Sequence, residues 1–92
     1  MSDPVTRTHE IVNEKGLHAR ASAKLVETVE EFDADAMVRK DGLDAAGDSI
    51  MGLLMLAASK GTSIEVTTDG SDAEALADAL EALIQDRFGE GM

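Results

Sequence analysis

The chain contains no cysteine, and its first twenty residues contain no long apolar run. Without cysteine there can be no disulfide and no thiol chemistry, and a signal peptide or a membrane span requires an apolar run that residues 1–20 do not supply. Together these absences favour a cytoplasmic protein with no direct membrane insertion.

Basic residues are also scarce. Eight lysines and arginines stand against nineteen acidic residues, which gives a formal net charge of -11. This surplus repels nucleic acid and anionic membrane surfaces, so neither is expected as a partner. At low salt the carboxylates also repel one another, whereas molar salt shortens the screening length to roughly 3 Å. The charge predicts a halophilic source, and a solvated acidic surface on a mesophilic protein is the alternative.

No metal or cofactor site is indicated. The two histidines, His9 and His18, are separate, and the acidic residues show no ligand spacing beyond chance. His9 lies inside a β-prone segment, flanked by Thr8 and Glu10, so we expect a half-exposed strand residue. We predict no metal and no cofactor.

The length of 92 residues predicts one domain over residues 1–92, without repeats or linkers. A capping-box pattern at Ser71 and Glu74 starts the last helix, which should run to about Phe88. The other helices are predicted over residues 19–31 and 50–59, and the strands over residues 5–13, 35–40, 43–46 and 63–68. The order β-α-β-β-α-β-α predicts an α/β (α+β) fold: an open-faced sandwich with a four-stranded, mostly antiparallel sheet and three helices on one face.

The most informative segment is Gly16-Leu17-His18-Ala19-Arg20, where a loop gives way to the first helix. Backbone N-H groups at a helix start have no partner within the helix and favour a bound anion. Neutral imidazole is a nucleophile near pH 7 and can accept and later donate a phosphoryl group, while arginine offers a planar fork of donors to phosphate. From its position alone, however, His18 is equally well interpreted as a surface residue that caps a helix.

The second helix is unusually apolar. Ser49 or Asp48 can cap it, and apolar residues then occupy nearly its whole circumference: Ile50, Met51, Leu53, Leu54, Met55 and Leu56. One sheet can cover only one side of a helix, so some of these side chains must face solvent. We expect Leu53 and Leu56 to be buried.

These two motifs, with Gly61, Asp69-Gly70 and a terminal amphipathic helix at compatible spacing, resemble HPr, the phosphocarrier family of the phosphoenolpyruvate-dependent sugar phosphotransferase system. The resemblance spans nearly the whole chain. It implies a carrier that is not an independent enzyme: His18 accepts a phosphoryl group on Nδ1 from enzyme I and passes it to a sugar-specific IIA component. It also implies that Arg20 stabilises the phosphoryl group and that the backbone N-H groups of Ala19 and Arg20 cradle it. We expect the protein to be a monomer. The implied partner surface comprises Ala19, Arg20, Ala23, Ile50, Met51 and Leu54.

The chain departs from the family pattern at three places. Ala21 replaces the usual proline, which should leave activity intact because alanine is an excellent helix residue. Asp48 precedes Ser49 and would oppose a second negative group there, so we expect Ser49 to cap the helix rather than to carry a regulatory phosphate. Residues 89–92 are expected to fray, with no basis for placing a C-terminal carboxylate near His18.

Two other functions stay open at this point. Asp48-Ser49-Ile50 resembles the site at which acyl carrier proteins attach phosphopantetheine, although those proteins are helical and strands are predicted here. A binding-only regulatory relative of HPr is the second alternative, against which His18 and Arg20 argue. Sugar-specific, nitrogen-regulatory, fructose-specific and dihydroxyacetone-linked carriers share the motif, so it does not identify the final acceptor.

Overall fold

The structure, a computed structural model, describes residues 3–91 as four strands and three helices in the predicted order. A short 3-10 segment, Arg87–Gly89, follows the last helix. None of the helices within residues 3–91 is long and apolar enough to cross a membrane. The elements are β1 (Val5–Glu10), α1 (Ala19–Glu30), β2 (Asp35–Lys40), β3 (Leu43–Ala46), α2 (Ile50–Met55), β4 (Ser63–Asp69) and α3 (Ala73–Gln85).

The four strands form one sheet in the order β1-β4-β2-β3, and every neighbouring pair is antiparallel. Val38 in the middle of β2 lies opposite Val66 of β4 on one side and Ala45 of β3 on the other. All three side chains are buried, because they share the sheet face that the helices cover. The alternate residues of these strands face solvent, and the open-faced sandwich is confirmed.

The core lies between this face and the helices. Apolar side chains recur at helical spacing along α1 and α3, so each helix presents one buried stripe. Burying one such side chain contributes about 1.5–3 kcal/mol. The fully buried large side chains include Leu25 of α1, Leu53 of α2, Leu76, Leu80 and Ile84 of α3, and Phe88 beyond α3.

The predicted ends of β1 and α2 are wrong. β1 ends at Glu10 rather than at residue 13, because Ile11 leaves the strand pairing and bonds instead to the loop before β4, its N-H donating to the Thr62 carbonyl at 2.8 Å. α2 ends at Met55 rather than at residue 59. Ala57 there has a left-handed φ of 51°, and the Ala58 carbonyl accepts the Leu17 N-H at 2.8 Å. The chain after α2 is therefore used to hold the loop that precedes His18.

The start and end of α3 also differ from the prediction. The capping box is wrong: Asp72 occupies the N-cap position without a side-chain cap bond, and the Ser71 hydroxyl pairs with the Asp33 carboxylate at 3.0 Å. The Asp72 carboxylate accepts the Asp33 N-H at 2.8 Å. These side chains tie the start of α3 to the loop before β2, a long-range contact that a local pattern does not reveal. The helix ends at Gln85, three residues before Phe88.

His9 is buried, so the prediction of a half-exposed strand residue is wrong. It lies on the side of β1 that packs against α3, as does Arg7, which reaches Asp78 and Glu81 of that helix. Burial lowers the pKa of His9 below its ordinary value, and this effect outweighs the opposing attraction of Glu81.

Candidate functional site

His18 is the N-cap residue of α1, and its backbone is extended. The loop before it is held close to the end of α2: Gly16 has a left-handed φ of +66°, and a Cβ at that position would lie 2.4 Å from the Ala58 carbonyl oxygen. The imidazole Nδ1 accepts the backbone N-H of Arg20 at 3.3 Å. One ring nitrogen therefore faces the first helical turn, whose N-H groups have no partner within the helix.

The other ring nitrogen, Nε2, is hydrogen-bonded to the Glu90 carboxylate. Asn13 donates from its side-chain amide to the second carboxylate oxygen of Glu90 at 3.0 Å and to the Gly16 carbonyl at 2.8 Å. The hydrogen bonds from His18 and Asn13 hold the pKa of Glu90 below its ordinary value, so Glu90 is ionised near neutral pH.

The expectation that the tail frays away from His18 is wrong for Gly89 and Glu90, while Met92 lies outside the described residues. Phe88 inserts into the core, and Lys24 donates from Nζ to the Phe88 carbonyl. Left-handed φ values at Arg87, Phe88 and Gly89 turn the chain back toward His18. A large apolar residue just beyond the helix, followed by glycine, was the sequence signal for this return.

An open pocket of about 330 Å³ lies beside His18. Within the described part of the chain, neither Lys15 nor Arg20 forms an ion pair, whereas Lys60 pairs with Glu14 at 3.3 Å. Their positive charges are thus available to an incoming anion in a molecule that is otherwise strongly acidic. The pocket is lined by Glu14, Lys15, His18, Ala19, Arg20, Glu90 and Gly91.

Helix α2 presents an apolar surface. Met51 is 70% exposed and Ile50 is 40% exposed, while Leu53 and Leu56 are buried as predicted. Helices α1 and α2 contact one another, and the Ala58 carbonyl just beyond α2 accepts the Leu17 N-H at 2.8 Å, so the segment after α2 lies against the loop that precedes His18. Of the residues predicted for a partner surface, Ala19, Arg20, Ile50 and Met51 are exposed, and Ala23 and Leu54 are partly buried.

Met55 was missed by the sequence reasoning. It is 76% exposed, and it lies one turn after Met51 on the same side of α2. The four-residue spacing of the two methionines was the available signal.

Ser49 caps α2 as predicted, with its hydroxyl accepting the Gly52 N-H at 3.0 Å. Among residues 3–91 no cluster of three or more histidine, aspartate or glutamate side chains could hold a metal ion.

Comparison with known proteins agrees with the fold. The family model described as "PTS HPr component phosphorylation site" matches residues 5–86. The chain belongs to the HPr phosphocarrier family. Among its HPr-family relatives, the phosphocarrier protein HPr of Neisseria meningitidis is 51% identical over 82 residues, covering 89% of this chain and 92% of the relative. The phosphocarrier protein NPr of Escherichia coli is 41% identical over 87 residues, covering 94% and 97%.

A solved structure, HPr-C-His from Thermoanaerobacter tengcongensis, has the HPr fold seen here. It superposes with a TM-score of 0.91 at 38% identity, covering 96% of this chain and 99% of that one. An acyl carrier protein is excluded, because four antiparallel strands are incompatible with an all-helical bundle. The family supports a phosphocarrier role within a phosphotransferase system.

Proposed function

We propose that this chain accepts a phosphoryl group on Nδ1 of His18 from phosphorylated enzyme I, and donates it to a IIA component. The observation that carries the proposal is the placement of Nδ1 against the first turn of α1, with Nε2 held separately by Glu90. The long 3.3 Å contact from the Arg20 N-H engages the Nδ1 lone pair only weakly, so this nitrogen can still act as a nucleophile.

In the proposed transfer, the Nδ1 lone pair attacks the phosphorus of the donor. A nitrogen-phosphorus bond forms, the bond to the donor's leaving atom breaks, and its electron pair departs with the donor. The backbone N-H groups of Ala19 and Arg20 and the guanidinium of Arg20 stabilise the negative phosphoryl oxygens. Donation to the acceptor is the same step in reverse, because a phosphorylated imidazole retains a good leaving group.

The proposed docking surface comprises exposed or partly buried residues of α1 and α2: Ala19, Arg20, Ala23, Ile50, Met51 and Leu54. A carrier must dock in turn on a donor and on acceptors of different shape, and exposed methionine adapts to dissimilar surfaces. We extend the surface to Met55, which continues the stripe from Met51. The proposal places the carrier in the cytoplasm, as a monomer without a cofactor of its own.

The test is to incubate the protein with enzyme I and phosphoenolpyruvate, at low and at high KCl concentration. We expect one acid-labile, base-stable phosphate per chain, which is typical of phosphohistidine. His18→Ala should carry none, and His9→Ala is the matched control that should be labelled normally.

Label that persists in His18→Ala would place the acceptor elsewhere. An unlabelled wild-type protein at both salt concentrations would favour the binding-only alternative.

A further inference from the structure

The contact between His18 and Glu90 has a role in the proposed function, on which this inference rests. We propose that Glu90 is a positioning residue: together with Asn13 it holds the neutral imidazole with its proton on Nε2, and so keeps Nδ1 free for the phosphoryl group. Glu90 does this through Nε2 and need not touch the phosphoryl group.

The two ring nitrogens have complementary partners. A neutral imidazole carries one proton, on either Nδ1 or Nε2. The Arg20 N-H can be accepted at Nδ1 only if that nitrogen has a free lone pair, and an ionised Glu90 can bind Nε2 only if Nε2 carries the proton. Both contacts therefore select the same tautomer.

Asn13 fixes the carboxylate in turn. Its side chain is fully buried, and the amide nitrogen uses its two hydrogens on Glu90 and on the Gly16 carbonyl. Rotating the amide by 180° would place its oxygen against two acceptors, so the observed orientation is the only one that satisfies them. The amide oxygen has no hydrogen-bond partner within residues 3–91, so Asn13 contributes to this site through the two hydrogen bonds that its amide nitrogen donates.

The backbone also directs Glu90 to this place. Arg87 and Phe88 both have a φ of 55°, a conformation that residues other than glycine rarely adopt. The buried Phe88 side chain and the bond from Lys24 to the Phe88 carbonyl hold this turn in position. Glu90 is thus presented by a turn that the core anchors, and its side chain is only 17% exposed.

The arrangement matters most during transfer. When Nδ1 forms its bond to phosphorus, the ring keeps the Nε2 proton and becomes cationic. The Glu90 carboxylate, which already accepts a hydrogen bond from Nε2, offsets the new positive charge. When the nitrogen-phosphorus bond breaks, the electron pair returns to Nδ1 and the neutral tautomer is restored with no net transfer of a proton.

The test compares Glu90→Gln and Glu90→Asp with Glu27→Gln, which removes one exposed carboxylate from α1. Nitrogen-15 shifts of the imidazole report which nitrogen carries the proton, and a single-turnover assay with phosphorylated enzyme I reports the rate. In Glu90→Gln we expect a larger population with the proton on Nδ1 and a rate about tenfold lower, since a hydrogen bond to a charged group is lost. Glu90→Asp should show a smaller change in both, and Glu27→Gln should match the wild type.

The inference is overturned if Glu90→Gln keeps the wild-type tautomer, or if its tautomer changes while its rate stays within twofold of Glu27→Gln. Circular dichroism of each variant checks that the substitution leaves the fold intact. Failure of the proposed function looks different: enzyme I would then not label the wild-type protein at all, and the nitrogen-15 shifts would still report whether Glu90 selects the tautomer.

Discussion

The two histidines of this protein show how position determines what an imidazole can do. His9 lies on β1 beneath α3, where it is buried and where burial lowers its pKa. His18 begins α1, with 28% of its side chain exposed and hydrogen bonds at both ring nitrogens. The first histidine is part of the core, and the second is accessible, oriented and therefore suited to transfer chemistry.

The arginines near the two histidines differ in the same way. Arg7, two residues before His9, pairs with Asp78 at 2.8 Å and with Glu81 at 3.3 Å, and these carboxylates raise its pKa. Arg20, two residues after His18, forms no ion pair within residues 3–91. An arginine can bind a phosphoryl group only if it is not already paired with a carboxylate. The unpaired guanidinium of Arg20 therefore distinguishes the His18 site from the surroundings of His9, as the difference in burial does.

The largest expected effect comes from removing that free cation. Arg20→Ala should lower the rate of phosphoryl transfer from enzyme I by about 100-fold, the scale expected when one donor to a transition-state oxyanion is lost. Arg20→Lys should recover part of the rate, because lysine keeps the charge but loses the planar fork. Single-turnover kinetics measures both.

Arg39→Ala is the matched control, since Arg39 pairs with Asp44 at 2.6 Å on the sheet. A rate for Arg20→Ala within twofold of this control would contradict the role of Arg20.

The next effect concerns the proposed docking surface on α2. Met51→Asp should slow transfer from enzyme I by about tenfold, which corresponds to roughly 1.4 kcal/mol, and it should leave the fold intact because the side chain is 70% exposed. The concentration dependence of the transfer rate should show weaker docking.

Met37→Asp is the control, because Met37 is an exposed methionine on the open sheet. Equal rates for the two variants would remove Met51 from the docking surface.

A smaller effect is expected from salt. Because the net charge is -11, raising KCl from about 0.1 M to about 2 M should increase the free energy of unfolding by about 1 kcal/mol as the carboxylates are screened. Urea unfolding at each concentration measures this change. A fold that is equally stable in dilute buffer would count against halophilic adaptation.

The smallest effect is the contribution of His9 to the pH dependence of stability. Its pKa in the folded protein lies below the ordinary value of 6.5, so protonation favours the unfolded chain. The contribution of His9 to the free energy of unfolding is fully present above pH 6.5 and is lost as the pH falls through the lowered pKa. For one proton, the free energy of unfolding changes by no more than about 1.4 kcal/mol per pH unit.

Urea unfolding from pH 7.5 downward should show this loss before the carboxylates titrate, and His9→Gln should flatten it. An unchanged profile in His9→Gln would show that His9 does not contribute.

Local patterns were enough for much of the fold and part of the site. Some patterns involve only residues that are close in sequence, and these predict the type and order of the elements correctly. They are the alternation in β4, the apolar stripe of α3 and the turn at Asp41-Gly42. The cap at Ser49 and the helix start at His18 depend on immediate neighbours, and they too were predictable. The capping box at Ser71 misled because its hydroxyl found a distant partner in Asp33.

The sequence by itself thus determined that a histidine begins a helix, with an arginine two residues on and an exposed apolar helix elsewhere in the chain. Only the tertiary structure decided that His9 is buried, that α2 ends early to hold the loop before His18, and that Glu90 reaches the imidazole from 72 residues away. The physical reason is the separation in sequence between the residues that interact. Helix starts and caps depend on neighbours in sequence, whereas burial and the path of the C-terminal tail depend on packing between distant residues, here the packing of the Phe88 side chain in the core.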